Sequence, residues 1–303
     1  MRKAVIDVGS NSVLLLIAEK RNGDWVPIFE TSEVTGLGEG VKITGGLSEN
    51  GMARTLEAIK RAFQNAKNHQ ATPYAFGTMA LRIANNAQIF LKRAEEQGTP
   101  VQILSGEEEA ELSAASVFED PLFRENPVIT MIDVGGHSTE IVTKSRRGDS
   151  EWKTLFQKSY AIGTLGLRDS VLAEESPDAS ALLRAIEIVD NTFGIRYLPN
   201  RCGTVVAVGA SATNLVTIRD KILEWDQHKV HGAFLSYEEI SRFCSWLSKM
   251  TNSERAQVPG LERGRERTIH IGALILERAL FAVGAEGCYV SVRGWRYALL
   301  SRL

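Results

Sequence analysis

The sequence predicts an α/β fold of two similarly built domains, and two observations support this prediction. The phrase IDVGSNS at residues 6–12 returns as IDVGGHS at residues 132–138. After each copy, short runs of β-branched and aliphatic residues alternate with segments whose apolar residues recur at helical spacing. A length of 303 residues suits two domains, and we expect these to be residues 1–124 and 125–303.

The first half opens with a predicted β-meander. KAVIDVG and VLLLIAE predict two strands joined by the tight turn SNS, and WVPIFETSEV continues the sheet. The glycine-rich run GLGEGVKITGG that follows predicts a loop, because glycines at this density favour turns over regular structure.

Helices and strands are predicted to alternate after this loop. Apolar residues recur at helical spacing from Ser48 to His69, and the Ser48 side chain can cap the start of this helix. The next segments predict a strand, a helix, a strand and a helix, in the order YAFGT, NAQIFLKRAEEQG, VQIL and SGEEEAELSAASVF. In the last segment, Ser105 and Glu108 form the S-x-x-E pattern of a capping box.

The second half repeats this order after a proline-containing joint near Asp120–Pro127. VITMIDVGG, TEIVTK and WKTLFQKSYAI predict three strands, and VVAVG predicts a later one. The remainder, Tyr237–Leu303, is predicted to be largely helical with a short strand at CYVSV.

Composition and charge narrow the classes of function. A formal net charge of −2 argues against a general nucleic-acid or membrane-surface binder, so a polyanionic ligand would need a local pocket. Three scattered cysteines fit a reducing cytosol better than a disulfide framework. The N-terminus reaches Asp7 before a signal-like apolar region forms, and the run Val13–Ala18 is too short to span a bilayer. We expect a cytoplasmic protein with neither nucleic acid nor membrane among its partners.

The repeated phrase has the features of a phosphate-binding hairpin. Its strand, Asp-x-Gly turn and second strand bring backbone N–H groups and hydroxyls toward one point, and glycines let a phosphate approach the backbone closely. The aspartate at the strand end can hold a cation that offsets phosphate charge. A single D-x-G is a common turn, but two copies that each open a β-rich half favour a duplicated phosphate-binding fold.

The actin-like, sugar-kinase and Hsp70-like ATPases are built from two such halves with nucleotide between them. VAVGASATNL predicts a strand, a small-residue turn and a helix start, which resembles the element of these folds that contacts a further part of the phosphate chain. We therefore expect an α/β protein of two ribonuclease H-like (actin-like ATPase, ASKHA) domains, with an active-site cleft between the domains.

Longer motifs resemble one family, the exopolyphosphatase/guanosine pentaphosphate phosphatase family (Ppx/GppA). DVGSNSVLLLI and DVGGHSTEIV resemble its two phosphate loops, GTMALRIANN its G-T-x-x-L-R-x-A-x-N segment, and ILSGEEEAEL its I-S-G-x-E-E-A-x-L helix start. VPGLERGRERTIHIGALIL is similar to its P-G-L…R…G-A-x-I-L stretch, so the agreement runs in order through nearly the whole chain. Longer family members carry an extra C-terminal helical HD-type domain, and the resemblance implies the short form without it.

The resemblance implies a hydrolase that releases terminal phosphate from inorganic polyphosphate, from guanosine pentaphosphate or from both. Glu109 matches the family's catalytic glutamate, and Glu140 matches a second carboxylate that assists with water or metal. Mg²⁺ or Mn²⁺ would be held by Asp133 and more weakly by Asp7. The residues expected to contact phosphate lie in the two loops, in GTMALR and in VAVGASATNL: Gly9, Ser10, Asn11, Ser12, Arg82, Gly135, Gly136, His137, Ser138, Thr139, Gly209 and Ser211.

A physical argument also supports Glu109 as the water-activating base. In a capping box the Glu108 side chain accepts a hydrogen bond from the backbone N–H of Ser105, so the Glu109 side chain can point elsewhere. The plainer alternative is a solvated glutamate that the helix dipole favours in the first turn. Without the family match, Arg82 and Glu140 would likewise be interpreted as surface charges.

Three residues depart from the family pattern. Leu14 stands where many members have Arg or His, and the loss of a cation there should weaken the binding of long polyanions. His137 replaces the third glycine of the second loop, which narrows the turn but adds a donor for phosphate. Val292 replaces an aspartate in SVRGWR, a change for which the sequence offers no functional account.

Two alternative functions stay open from the sequence. A small-molecule kinase on the same fold would need a base for the acceptor hydroxyl and a full nucleotide pocket, and SGEEEA argues against it. A non-catalytic polyphosphate or nucleotide sensor is compatible with the changes at Leu14 and His137. The sequence decides neither between the two substrates, nor the preferred chain length, nor the oligomeric state, for which a homodimer is one option.

Overall fold

The computed structural model describes four stretches of the chain, residues 1–22, 24–148, 151–194 and 202–303. These residues form two compact units. Unit 1 comprises Met1–Ser116 together with Trp295–Leu303, and unit 2 comprises Val117–Gly294. The division therefore falls before the expected boundary at residue 124, and the C-terminal residues return to unit 1 because their apolar side chains pack with those of its sheet.

A five-stranded mixed sheet lies at the centre of unit 1. Its strands in chain order are β1 (Arg2–Val8), β2 (Ser12–Arg21), β3 (Asp24–Val34), β4 (Thr72–Gly77) and β5 (Gln102–Ile103). Their order in the sheet is β3-β2-β1-β4-β5. The first three strands pair antiparallel, as the predicted meander requires, and β4 and β5 join in parallel.

Helices pack on both faces of this sheet. In chain order they are α1 (Val41–Thr44), α2 (Glu49–Asn68), α3 (Met79–Ile83), α4 (Ala87–Glu96) and α5 (Gly106–Phe118), which crosses the boundary between the units in its last turn. Successive β1 side chains point to opposite faces. Ile6 and Val8 therefore pack in one cluster with Leu56 of α2, whereas Val5 packs in another with Leu112 of α5.

Unit 2 is built on a six-stranded sheet. Its strands are β6 (Val128–Val134), β7 (Thr139–Ser145), β8 (Lys153–Tyr160), β9 (Thr204–Val208), β10 (Phe234–Ser236) and β11 (Gly287–Val290). The order β8-β7-β6-β9-β11 repeats that of unit 1, with the same antiparallel and parallel pairings, and β10 adds an antiparallel edge strand. The prediction of two similarly built α/β domains is confirmed.

Seven helices of unit 2 surround this sheet among the described residues: α6 (Thr164–Arg168), α7 (Ala179–Phe193), α8 (Ala210–Arg219), α9 (Gln227–Val230), α10 (Tyr237–Ser248), α11 (Asn252–Arg255) and α12 (Ile269–Val283). The core joins Ile132 and Ile141 of the sheet to Val189 of α7, Leu215 of α8 and Leu276 of α12. Although α12 is buried along most of its length, neither it nor any other helix in the described ranges combines the length and hydropathy that a bilayer crossing requires.

The last helix, α13 (Trp295–Arg302), packs on the α5 side of the unit 1 sheet. Trp295, Leu299 and Leu300 are buried there in one cluster with Val5 and Leu16. This return places a residue from the end of the chain beside β1, an arrangement that the sequence patterns did not predict.

Several helices were not predicted from the sequence, among them the short helices α3, α6 and α9 and the two described next. The glycine-rich segment predicted as a loop contains the single turn α1, which lies between the left-handed residues Gly40 and Gly45. α7 was not predicted, although the Asp178 side chain caps its start through the Ala181 amide (2.7 Å) and Gly194 ends it with φ 57°. Both residues are ordinary helix signals that are visible in the sequence.

Candidate active site

The two repeated phrases form hairpins with the same register. Asp7 pairs with Leu14 across β1 and β2, and Asp133 pairs with Glu140 across β6 and β7. In each turn the first glycine amide donates to the serine carbonyl three residues later, at 2.9 Å in both hairpins. The structural repeat therefore extends from sheet order down to individual hydrogen bonds, and Leu14 occupies the position that corresponds to Glu140.

The first candidate phosphate loop is the turn Gly9–Ser12. The carbonyls of Ser10 and Asn11 accept hydrogen bonds of 2.7–3.0 Å from amides within residues 35–38. No cis peptide occurs among the described residues, and in a planar trans peptide the carbonyl and the following N–H point in opposite directions. The amides of Asn11 and Ser12 therefore point away from residues 35–38.

The second loop, Gly135–Ser138, is held in the same way. The carbonyls of Gly135 and Gly136 accept hydrogen bonds of 3.0 and 2.7 Å from the amides of Thr164 and Leu165 at the start of α6. By the same peptide geometry, the amides that follow these carbonyls point away from α6. Successive outward N–H groups form the kind of nest that binds anions.

Gly163, just before α6, allows this close approach. A Cβ atom at this position would lie 2.5 Å from the carbonyl carbon of Gly136 and from the amide nitrogen of His137. Because both contacts are with backbone, a larger residue would push α6 and the loop apart. The sequence Gly163–Thr164 is therefore part of the loop's support.

Asp7 lies at the end of β1 and has two unlike carboxylate oxygens. Its Oδ2 atom accepts a hydrogen bond from Nε1 of Trp295 at 3.1 Å. Its Oδ1 atom is buried and has no hydrogen-bond partner. A carboxylate oxygen in this state is suited to accept a cation or a water-bridged ligand, because burial without a partner is costly.

The electrostatic surroundings of Asp7 favour its protonated form. Burial raises the pKa of Asp7 to about 7, and the negative charge of Glu109 adds to the rise. Arg296, the indole of Trp295 and Arg82 act in the opposite direction. Asp7 would therefore ionise fully near neutral pH only when additional positive charge is present.

Arg82 and Glu109 form an ion pair in unit 1. Nη1 of Arg82 lies 2.7 Å from Oε2 of Glu109 and also donates to the carbonyl oxygen of Leu104 at 2.9 Å. The two side chains are 25% and 29% exposed, so the pair is partly shielded but accessible to a ligand. The predicted phosphate-binding arginine and the predicted base are thus brought together. Asp7 lies close enough to both for their charges to shift its pKa.

The two neighbouring glutamates of α5 have different environments. The predicted capping box is present, since Ser105 Oγ accepts from the amide of Glu108 (3.2 Å) and Glu108 accepts from the amide of Ser105 (3.0 Å). These hydrogen bonds lower the pKa of Glu108. Burial raises the pKa of Glu109, against the opposing charge and hydrogen bond of Arg82. Of the two, only Glu109 has the perturbed environment expected of a base.

Unit 2 places two carboxylates side by side. Asp133 and Glu140 are direct partners across β6 and β7, so their Cβ atoms lie about 5 Å apart on one face of the sheet. Glu140 also accepts a hydrogen bond from Ser159 at 2.6 Å. Gly209, at φ 87°, leaves room beside Asp133, because a Cβ there would lie 3.0 Å from its Oδ1 atom.

These carboxylates fit Mg²⁺ better than they fit a metal that needs a complete protein cage. In the four described stretches, no three or more His, Cys, Asp or Glu side chains converge as a ready-made metal site. Mg²⁺ commonly binds through one or two carboxylates and takes its other ligands from water and substrate phosphate. The unpartnered oxygen of Asp7 and the Asp133–Glu140 pair are both compatible with that mode.

Several predicted phosphate contacts, Ser10 and Ser12 among them, have side chains that are buried or engaged elsewhere. The Thr139 hydroxyl is fully buried and donates to the carbonyl of Ile162 at 2.8 Å, so it supports the loop and does not face a ligand. The Ser211 hydroxyl lies against α12, where a Cβ at Gly272 would be only 2.3 Å from it. His137 is 2% exposed, and its ring is enclosed by the protein.

Trp295 and Arg296 belong to the surroundings of Asp7 but were not among the predicted site residues. The motif SVRGWR, which departs from the family pattern at Val292, contains both residues. The indole and Asp7 are 288 residues apart, so no local pattern connects them. The feature of the sequence that could have indicated a functional role for them is the presence of a tryptophan and two arginines in one short C-terminal motif.

Comparison with known proteins agrees with the family resemblance of the sequence motifs. Residues 16–302 match the model of the Ppx/GppA phosphatase family. The chain is 26% identical to exopolyphosphatase 2 of Mycobacterium tuberculosis, over 91% of this chain and 89% of that protein. It is also 26% identical to a bifunctional 3-dehydroquinate synthase/phosphatase of Fusobacterium nucleatum, but covers only 44% of that longer protein's length.

A solved structure agrees with these sequence matches. The structure of the Aquifex aeolicus PPX-GPPA enzyme matches with a TM-score of 0.78 and 27% identity, over 100% of this chain and 99% of that one. The predicted fold of two ribonuclease H-like domains is confirmed. The location of the active site in a cleft stays a prediction.

Proposed function

The chain belongs to the Ppx/GppA phosphatase family, and on that premise we propose that it hydrolyses the terminal phosphoanhydride bond of inorganic polyphosphate. The observation that carries this proposal is the 2.7 Å contact between Arg82 and Glu109. It joins a cation suited to phosphate and a carboxylate suited to activating water, the two groups that a phosphate-releasing hydrolase needs close together.

Substrate binding would change the role of Glu109. A terminal phosphoryl group offers Arg82 two oxygens in place of the single contact to Glu109, and arginine–phosphate pairs are often bidentate. Once Arg82 turns to the phosphate, Glu109 loses the interaction that lowers its pKa. It then accepts a proton from a water that attacks the phosphorus in line with the departing phosphate chain.

Each loop would bind phosphate through its backbone amides. The outward amides of Asn11 and Ser12 in the first loop, and of Gly136 and His137 in the second, offer donors that do not depend on side-chain rotamers. Gly9, Ser10, Gly135, Ser138 and Gly209 shape this backbone. Thr139 and Ser211 would act indirectly, by supporting the second loop and α8.

We assign cation binding to carboxylates within each unit, to Asp7 in unit 1 and to the Asp133–Glu140 pair in unit 2, and we expect Mg²⁺ or Mn²⁺. When bound, the metal would supply positive charge against the phosphate oxygens. Asp7 would contribute its unpartnered Oδ1 atom. Glu140 would share the ion with Asp133 or orient its water, while Ser159 fixes one of its oxygens.

A phosphate-release assay on the purified chain tests this proposal. Polyphosphate and guanosine pentaphosphate are compared side by side, each with Mg²⁺ and with EDTA. We expect release from polyphosphate that stops in chelator. ATP consumption that requires an acceptor would indicate a kinase, binding without turnover would indicate a sensor, and faster release from guanosine pentaphosphate would reassign the substrate.

A further inference from the structure

We propose that Trp295 is a positioning residue for Asp7, whose indole N–H fixes the carboxylate so that Oδ1 is presented to a divalent cation. The contact that supports this is the 3.1 Å hydrogen bond from Nε1 to Oδ2. The inference rests on the proposed function only in assigning a cation to Asp7. It concerns a residue at the opposite end of the chain from the phosphate loop that it would serve.

The indole is held rigidly. Trp295 is 5% exposed and is buried with Val5, Leu112 and Leu299. The ring of Phe76 meets it edge to face, with centroids 6.2 Å apart and an interplanar angle of 89°. A ring fixed on several sides cannot rotate to follow the carboxylate, so the carboxylate must adopt the orientation that the indole sets.

The hydrogen bond distinguishes the two oxygens of Asp7. Oδ2 is engaged by the indole, whereas Oδ1 is buried without a partner. An indole N–H is a donor only, so Trp295 can neither ligate a metal nor exchange a proton. Its contribution is therefore the direction in which Oδ1 points, which is the usual function of groups that hydrogen-bond to a metal ligand.

The chain offers a matched control in Trp25. This residue packs against the same cluster as Trp295 and is only partly buried. Its ring lies under the ammonium groups of Lys3 and Lys20, at 5.0 and 5.8 Å from the centroid. Trp25→Phe therefore removes an indole from the same core and leaves the Asp7 hydrogen bond intact.

The first test measures Mn²⁺ binding by calorimetry. Trp295→Phe keeps an aromatic ring but removes the N–H, and we expect the dissociation constant for Mn²⁺ to rise about tenfold, because loss of an orienting partner typically costs ten- to a hundredfold in metal affinity. Trp25→Phe should leave it unchanged. Equal affinities in wild type and a folded Trp295→Phe would overturn the inference.

A second test does not depend on the stability of the Trp295 variant. The other tryptophans, Trp25, Trp152, Trp225 and Trp246, are partly buried or exposed and can be replaced by Phe, so that Trp295 alone emits. Paramagnetic Mn²⁺ bound at Asp7 would quench this emission saturably, and Asp7→Asn should abolish the quenching.

The outcomes separate the two proposals. Mn²⁺ that binds and supports phosphate release without quenching Trp295 would overturn the inference and leave the proposed function standing. A protein that neither binds Mn²⁺ nor releases phosphate would contradict both. Quenching that persists in Asp7→Asn would place the cation elsewhere and also overturn the role of Trp295.

Discussion

At the scale of single residues, the site depends on carboxylates whose burial opposes their ionisation. Burial raises the pKa values of Asp7 and Glu109, and Arg82 partly compensates both. Such groups destabilise the free protein but bind cations and protons strongly, a balance that is typical of functional sites. Glu108, one position before Glu109, shows the contrast, because its carboxylate is satisfied by the helix cap.

Glu109→Gln should reduce the rate of phosphate release by about 10² to 10⁴, because the amide cannot accept a proton from water. Substrate affinity should change little, since Arg82 stays available for phosphate. Steady-state kinetics on polyphosphate measures both quantities. The matched variant Glu108→Gln should retain both turnover and the helix cap, because glutamine can replace glutamate in a capping box, and near-normal turnover in folded Glu109→Gln would refute the assignment.

Asp7→Asn should raise the free energy of unfolding of the metal-free protein at pH 8. Asp7 has a pKa of about 7 in the folded protein against an ordinary value of 3.8. Between these pH values the folded protein keeps a proton that the unfolded chain has lost, so stability falls as the pH rises through this window. The gain in the variant should be about 1 to 3 kcal/mol, since one pKa unit corresponds to about 1.4 kcal/mol and partial exposure screens part of the shift.

Urea denaturation at pH 4 and pH 8 measures this difference. The variant should gain stability over wild type at pH 8 and much less at pH 4. Asp24→Asn, on the exposed end of β3, provides the control and should leave stability unchanged at both pH values. A loss of stability in Asp7→Asn at pH 8 would mean that the carboxylate is well solvated or paired in solution.

At the scale of elements, the two hairpins are alike in backbone but differ in one cross-strand pair. The pair is Asp133–Glu140 in β6–β7 and Asp7–Leu14 in β1–β2. Leu14 is half-buried and shares a sheet face with Asp7. It is therefore beside the site and outside the buried core, which makes the absence of a cation at this position relevant to binding.

Leu14→Arg should tighten polyphosphate binding by about tenfold to a hundredfold, because one charge-assisted hydrogen bond contributes about 1.5 to 3 kcal/mol. The gain should shrink with added salt. Leu14→Gln, of similar length without the charge, is the control. Affinity and melting temperature are measured on both variants, and a large fall in melting temperature without tighter binding would show that Leu14 serves packing alone.

At the scale of the whole molecule, the chain starts and ends in unit 1. α13 contributes Trp295, Leu299 and Leu300 to the cluster on the α5 side of the sheet. Tyr297 also donates to Glu30 at 2.7 Å, and Arg302 donates to Glu111 at 2.9 Å. The last helix therefore completes the domain that the first strand begins.

Ending the chain at Gly294 should destabilise unit 1 by about 5 kcal/mol or more, because three large buried side chains each contribute about 1.5 to 3 kcal/mol. That loss is comparable with the whole stability of a typical domain. Removal of the exposed residues 301–303 is the control. It removes the surface pair of Arg302 and Glu111, worth less than about 1 kcal/mol, and the last backbone hydrogen bonds of α13, but none of the three buried side chains. Urea unfolding compares the two, and equal stability would mean that α13 is not needed for unit 1.

Features set by neighbouring residues were predictable from the sequence. The hairpin at Asp7–Leu14, its copy in the second half and the capping box at Ser105 all join residues only a few positions apart. Strand periodicity, turn chemistry and helix capping operate over such distances, so the patterns alone identified the duplicated α/β fold and the loops.

Contacts between distant residues were decided only by the tertiary structure. The sequence proposed Arg82 and Glu109 separately, but their 2.7 Å contact requires that β4, its following helix and α5 fold together. The bond between Trp295 and Asp7 spans 288 residues and exists because apolar residues of α13 bury themselves on the unit 1 sheet. Hydrophobic burial is not directional, so a sequence pattern can predict a helix at α13 without stating which surface it covers or which carboxylate its indole meets.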